Sequence, residues 1–250
     1  MTYPAIASDA NLKANDRLIV ALDVDSAAKA RGVVADLSGN VGAFKIGLQL
    51  FIAAGPSFVR EVVETGEKVF LDLKFHDIPN TVAKAAIEAA RLGVWMLNVH
   101  ALGGSEMMKR TIGEVANVCE KEHLPPPKII AVTVLTSADQ SALWEVGIQG
   151  EPESAAVMLA RLAAKSGLDG VVASPHEISA IRNSIEDKEL LIVTPGIRPG
   201  FATNDDQKRV MTPTAALAAG SDYLVIGRPI IQADDGAAAL AKILEEIEST

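Results

Sequence analysis

A chain of 250 residues, 49% of them hydrophobic, can bury one sizeable core, and its length suits one β/α barrel as well as two smaller domains. The formal net charge of −9 argues against a nucleic-acid or anionic-membrane partner, since such surfaces need excess Lys and Arg, so an anionic ligand must find a local cationic pocket. The single cysteine, Cys119, excludes an internal disulfide and, among Val115, Ala116 and Val118, reads as a small buried or half-buried residue on a helix.

Along the chain, Met1 to Asn15 hold no apolar stretch fit for a signal sequence, and later apolar segments are cut by charges such as Glu88 and Arg91. A soluble, cytoplasmic protein is expected. The first apolar run, Arg17 to Val24, carries Asp23 at its end and leads through Asp25 and Ser26 into a helix, with no glycine-rich dinucleotide fingerprint. The second, Gly42 to Gly47, has Lys45 inside it; the third, Lys68 to Phe75, has Asp72 and Lys74. Beyond it run His76, Asp77, Ile78, Pro79, Asn80 and Thr81, where Pro79 ends the strand and Asn80 or Thr81 is expected to help start a helix. That helix continues on the periodic set Val82, Ala86, Ala89 and Ala90.

The fourth run is Met96 to Ala101, and Pro125, Pro126 and Pro127 form a stiff connector before the fifth, Lys128 to Leu135, which leads into Thr136 and Ser137. Gly167 to Ser174 and Leu190 to Pro195 follow. The polar, glycine-bearing connector from Arg198 to Thr212 has the composition of an active-site lid and, equally, of a plain solvated loop. Tyr223 to Gly227 is the eighth run, followed by Arg228 and Pro229, and Leu240, Ile243, Leu244 and Ile247 mark a last helix. Eight strands alternating with helices imply parallel pairing with right-handed crossovers, and in 250 residues a closed (β/α)8 TIM barrel over residues 1–250 as a single domain is favoured over an open sheet.

In a barrel, chemistry sits at the C-terminal ends of the strands, and there Asp23, Lys45, Asp72 and Lys74 interrupt apolar runs. A charge in such a strand is expensive unless a partner offsets it, and two lysines with two aspartates offset one another. Asp72 and Lys74, two apart, face the same side of their strand. A structural ion-pair network closing the barrel end is the competing explanation. Lysines between Asp23, Asp72 and Asp77 would repel a divalent cation, so a metal-free site is favoured. His76 and His100 lie near strand ends without a Ser or Cys nucleophile motif, which fits supporting roles better than catalytic ones. The loops after the seventh and eighth strands, with Arg198, Gly227 and Arg228, are the usual place for phosphate in a barrel.

The segment from Asp72 to Thr81 closely resembles the Asp-x-Lys-x-x-Asp signature of the orotidine 5'-monophosphate decarboxylase family, with an Ile-Pro-Asn-Thr continuation like that of its bacterial members. The resemblance runs from Asp23 to Arg228. It implies cofactor-independent loss of CO2 from a nucleotide substrate, with Lys74 protonating the carbanion beside Asp72 and Asp77. It further implies ribose contacts from Asp23 and Lys45, with Lys45 also among the catalytic residues and Asp72 also among those that bind substrate, a base contact from Thr136 with Ser137 as the nearest alternative, and phosphate contacts from Arg198, Gln207, Gly227 and Arg228. A homodimer is implied too, in which Asp77 and Thr81 reach into the neighbouring subunit's site.

Two other readings compete. Metal-dependent relatives, the keto-gulonate phosphate decarboxylases and hexulose phosphate synthases, share the signature but place a metal-binding glutamate where Lys45 stands. A noncatalytic nucleotide sensor would keep Arg228 without needing a lysine held between carboxylates.

Overall fold

The computed structural model describes residues 12–186, 189–201 and 210–249. Eight parallel strands form a closed barrel in chain order: β1 (Leu18–Ala21), β2 (Ala43–Gly47), β3 (Val69–Phe75), β4 (Met96–His100), β5 (Lys128–Val132), β6 (Gly170–Val172), β7 (Leu191–Thr194) and β8 (Tyr223–Ile226), which returns to β1. Helices α1 (Ala27–Leu37), α2 (Leu48–Glu64), α3 (Pro79–Arg91) and α4 (Gly104–Glu122) follow the first four strands. The short α5 (Gln140–Glu145) precedes α6 (Pro152–Lys165), and α7 (Ile178–Ser184) and α8 (Pro213–Ala218) follow β6 and β7. After β8 come α9 (Arg228–Ile231) and α10 (Gly236–Glu248). The expected (β/α)8 alternation holds, with α5 and α9 as additions.

Strand alternation sorts the apolar side chains into two separate clusters. Val20, Phe44, Ile46, Leu71, Leu97 and Ala131 face outward and pack with helix residues such as Val34, Val59, Ala86 and Ile243. Ile19, Ala21, Ala43, Phe70, Met96, Ile130, Val193, Tyr223 and Val225 fill the barrel interior. Continuing the inward series past Ala21, Ala43, Phe70 and Met96 reaches Asp23, Lys45, Asp72 and Asn98, so this apolar plug is the floor on which the polar end stands. At the other end, the Asp222 carboxylate accepts from the Ile192 N–H at 2.7 Å and from the Arg182 guanidinium, tying β7 and β8 to α7.

Most ladders are shorter than the apolar runs that announce them: β1 stops at Ala21 and β6 covers only Gly170–Val172. Leu22, Val134 and Ala173 stay buried beyond the strands because the first loop residues still pack against the helices. Helix α3 begins differently from expectation. Pro79 occupies its first turn, with Ile78 at the N-cap and no side-chain cap, so neither Asn80 nor Thr81 starts the helix. A fixed proline φ preorganises that turn without help, and Asn80 Oδ1 accepts from Arg110 at 2.9 Å instead.

The one irregular ladder is β3 with β4. Leu71 pairs with Leu97 and Phe75 with Val99, so four steps of β3 span the interval that two cover on β4. Within this bulge Lys74 takes a left-handed backbone, φ 53°.

Candidate active site

A cavity of about 230 Å³ opens at the C-terminal end of the barrel, lined among others by Asp23, Lys45, Asp72, Lys74, Thr136, Arg198, Gly227 and Arg228. Its floor is apolar, from Ala21, Phe70, Val132, Val172 and Val225. Charged groups therefore meet over a low-dielectric base, where their mutual arrangement counts for more than on an open surface.

Four of them form one array. Lys45 Nζ lies 3.1 Å from Asp23 Oδ1 and 3.4 Å from Asp72 Oδ2, and Lys74 Nζ lies 2.6 Å from Asp72 Oδ1. Asp72 is thus bracketed by two ammonium groups, with its side chain only 13% exposed, against 32% for Lys74. Burial alone pushes Asp72 towards its neutral form, but Lys45 and Lys74, with a hydrogen bond from Asn98, hold its pKa below the ordinary carboxylate value. Burial likewise works against charge on Lys45. Asp72 and Asp23 outweigh it and raise the pKa above the ordinary lysine value.

The β3 bulge delivers Lys74 to this place. Its backbone N–H, out of the regular ladder, donates to Asn98 Oδ1 at 2.8 Å, while Asn98 Nδ2 donates to Asp72 Oδ1 at 2.7 Å. Sequence reasoning passed over Asn98. Its signal was an amide inside the apolar run Met96-Leu97-Asn98-Val99, at a position whose side chain faces inward and is fully buried.

Arg198 and Arg228 bring positive charge to the far side of the cavity, where the loops after β7 and β8 meet. The Arg198 N–H is pinned to the Met211 carbonyl at 2.9 Å, which joins the two ends of the long connector. A Cβ on Gly227 would stand 3.2 Å from both the Ala21 Cβ and Asp23 Oδ2, so glycine there leaves Asp23 its room. Thr136 lines the main cavity. Ser137 lines a neighbouring one with Asp139, Gln140 and Glu151, to which Thr136 also contributes, and is absent from the lining of the main cavity.

Other expected residues fall elsewhere. Gln207 lies outside the described residues, as do the rest of positions 202–209 of the connector. Asp77 and Thr81 are exposed and outside the cavity lining; Asp77 Oδ1 accepts from the Ile78 N–H at 2.6 Å. His76 and His100 stack with ring centroids 5.4 Å apart. Burial, with His76 and Lys74 nearby, holds the His100 pKa below its ordinary value, so this ring is neutral at pH 7. Cys119 is buried on α4 as expected. No described helix is long and apolar enough to cross a membrane, and no three His, Cys, Asp or Glu side chains among the described residues converge as a metal site requires.

The family model described as Orotidine 5'-phosphate decarboxylase / HUMPS family matches residues 16–243. The chain is 54% identical over 238 residues to an orotidine 5'-phosphate decarboxylase of Moorella thermoacetica, covering 95% of this chain and 94% of that one. It is 52% identical over 236 residues to a protein of the same name from Syntrophotalea carbinolica, covering 94% and 96%. Among solved structures, the Orotidine 5'-phosphate decarboxylase from Lactobacillus acidophilus superposes with a TM-score of 0.81 at 38% identity, over 92% of this chain and 98% of that chain.

Proposed function

Because the chain belongs to the Orotidine 5'-phosphate decarboxylase / HUMPS family, we propose that it converts orotidine 5'-monophosphate to uridine 5'-monophosphate and CO2 without a cofactor, with Lys74 as the acid. The observation that carries this reading is the Asp23–Lys45–Asp72–Lys74 array standing in one cavity with Arg198 and Arg228. The arginines and the backbone at Gly227 hold the phosphate, joined by Gln207. Asp23 and Lys45 hold the ribose, and Thr136 meets the pyrimidine edge. The ring carbon bearing the carboxylate is then placed at Lys74.

When the bond to the carboxylate breaks, its electron pair stays on that ring carbon, in the ring plane and without a conjugated sink. A fixed ammonium stabilises the developing charge and then gives up a proton to it, forming the C–H bond of the product. Lys74 recovers a proton from solvent, so one proton is consumed per turnover. Asp72 holds Lys74 at 2.6 Å and keeps the ammonium aimed at the reacting carbon.

A metal-dependent reaction on the same scaffold is disfavoured by Lys45, whose Nζ sits within 3.4 Å of both Asp23 and Asp72, in the space a divalent cation would share with them. A second subunit completes the site in this reading, contributing Asp77 and Thr81.

The test is the purified protein, treated with a chelator and given orotidine 5'-monophosphate. Release of CO2 at an undiminished rate is expected. Tight binding of uridine monophosphate with no turnover would instead identify a nucleotide sensor.

A further inference from the structure

Asn98 takes no part in the chemistry proposed above, yet both ends of its amide are committed to groups that do. Its Nδ2 donates to Asp72 Oδ1 at 2.7 Å, the oxygen that also receives Lys74 Nζ at 2.6 Å. Its Oδ1 accepts the Lys74 backbone N–H at 2.8 Å. The side chain lies within the core, with no solvent to substitute for either bond. Rotating the amide by half a turn would set its oxygen against a carboxylate and its NH2 against an N–H, so the two partners fix one orientation.

The backbone it holds is an unusual one. Lys74 has φ 53°, a left-handed conformation that a long side chain adopts only where its surroundings impose it. The ladder does not impose it, because the pairing of β3 with β4 skips from Leu71 to Phe75 at this point. Asn98 sits between the paired residues Leu97 and Val99 and occupies the gap that the bulge leaves. One side chain therefore sets both the backbone from which the Lys74 ammonium projects and the carboxylate that steers it.

We propose that Asn98 is a positioning residue of the reaction: by bridging Asp72 and the Lys74 backbone it holds the ammonium where the carbanion forms. This rests on the reading of Lys74 as the acid, and it requires that loss of Asn98 act on the chemical step rather than on nucleotide binding, whose phosphate, ribose and base contacts lie on other strands. Truncation frees the bulge to shift by a fraction of an ångström to an ångström, a displacement that costs an aligned reaction on the order of 100-fold.

The experiment compares wild type, Asn98→Ala and Asn98→Asp in steady-state decarboxylation across pH, with uridine monophosphate binding measured on each. Asn98→Ala should lose on the order of 100-fold in kcat with KM and uridine monophosphate affinity close to wild type. Asn98→Asp is nearly isosteric and keeps the acceptor for the Lys74 N–H, but it sets a second carboxyl against Asp72. Two carboxyls in contact resist joint ionisation, so the acid limb of its kcat profile should move to higher pH. A residue that merely fills the core would lower thermal stability and leave both readouts unmoved. Wild-type kcat in folded Asn98→Ala overturns the proposal; should that variant not fold, wild-type kcat with an unshifted profile in Asn98→Asp overturns it. A wild type that binds uridine monophosphate but releases no CO2 refutes the reading of the reaction itself, and the role of Asn98 with it.

Discussion

Asp72 is the side chain on which the charged end of the cavity depends, since it alone among the described residues touches Lys45, Lys74 and Asn98. Removing Lys45 takes one of its two ammonium partners from the buried Asp72 and leaves it Lys74 and Asn98, so Lys45→Met should destabilise the fold by about 2 kcal/mol. The pH dependence follows from the two shifts. Asp72 has a folded pKa below its unfolded value, so its contribution is present above the unfolded value of about 3.9 and is lost as pH falls through the folded one. Lys45 has a folded pKa above its unfolded value, so its contribution is present below about 10.4 and is lost as pH rises through the folded one. Denaturant unfolding of both proteins should give a stability gap that is flat through neutral pH and narrows in strong acid. A gap that persists unchanged below pH 3 would remove the ion pair as its cause. At this scale the sequence was informative wherever a charge broke an apolar run, which is how Asp23, Lys45, Asp72 and Lys74 stood out. Asn98 did not stand out, because one amide in a strand has many uses, and its own depends on a register slip that no residue pattern records.

At the scale of elements, eight apolar runs and the helical spacing between them made the barrel legible, as in the Leu240 to Ile247 series that became the inner face of α10. Strand lengths were less so. Burial continues past the strand ends at Leu22 and Ala173, whose N–H groups still donate to the Lys45 and Val193 carbonyls, and hydrophobicity reports burial rather than the exact end of a strand. The start of α3 departs from expectation for a related reason: Asn80 and Thr81 have capping chemistry, but Pro79 sets the first turn. The connector after β7 is the element with a function still to be read. Its ends are held by the Arg198–Met211 backbone bond and by the Gly200 N–H on Glu246 at 3.1 Å. If Gln207 and Arg198 close on the phosphate, amide exchange across 198–212 should slow when uridine monophosphate is added, and slow less in Arg198→Ala. Exchange unchanged by the nucleotide would mean that this connector is no lid.

For the whole molecule, and leaving aside Gln207, which lies outside the described residues, one barrel brings the residues of every proposed contact to a single cavity except Asp77 and Thr81, which stand exposed outside the cavity lining of their own chain. Nothing in a single sequence tells a residue that serves its own site from one that serves a neighbour's; only the family resemblance offered the distinction. In a two-fold dimer with shared sites, mixing inactive Lys74→Ala with inactive Asp77→Ala places both lesions in one site of each heterodimer and none in the other. With free exchange, roughly a quarter of wild-type activity should return. Activity that stays at the level of the separate variants while subunits exchange would confine Asp77 to its own chain. Whether Lys74 delivers the proton is read most directly from Lys74→Ala alone, assayed for decarboxylation and for uridine monophosphate binding on the same preparation. Turnover should fall by at least about 1,000-fold, the loss of both an acid and a charge stabiliser, while binding is largely kept. Turnover near the wild-type rate would contradict the assignment.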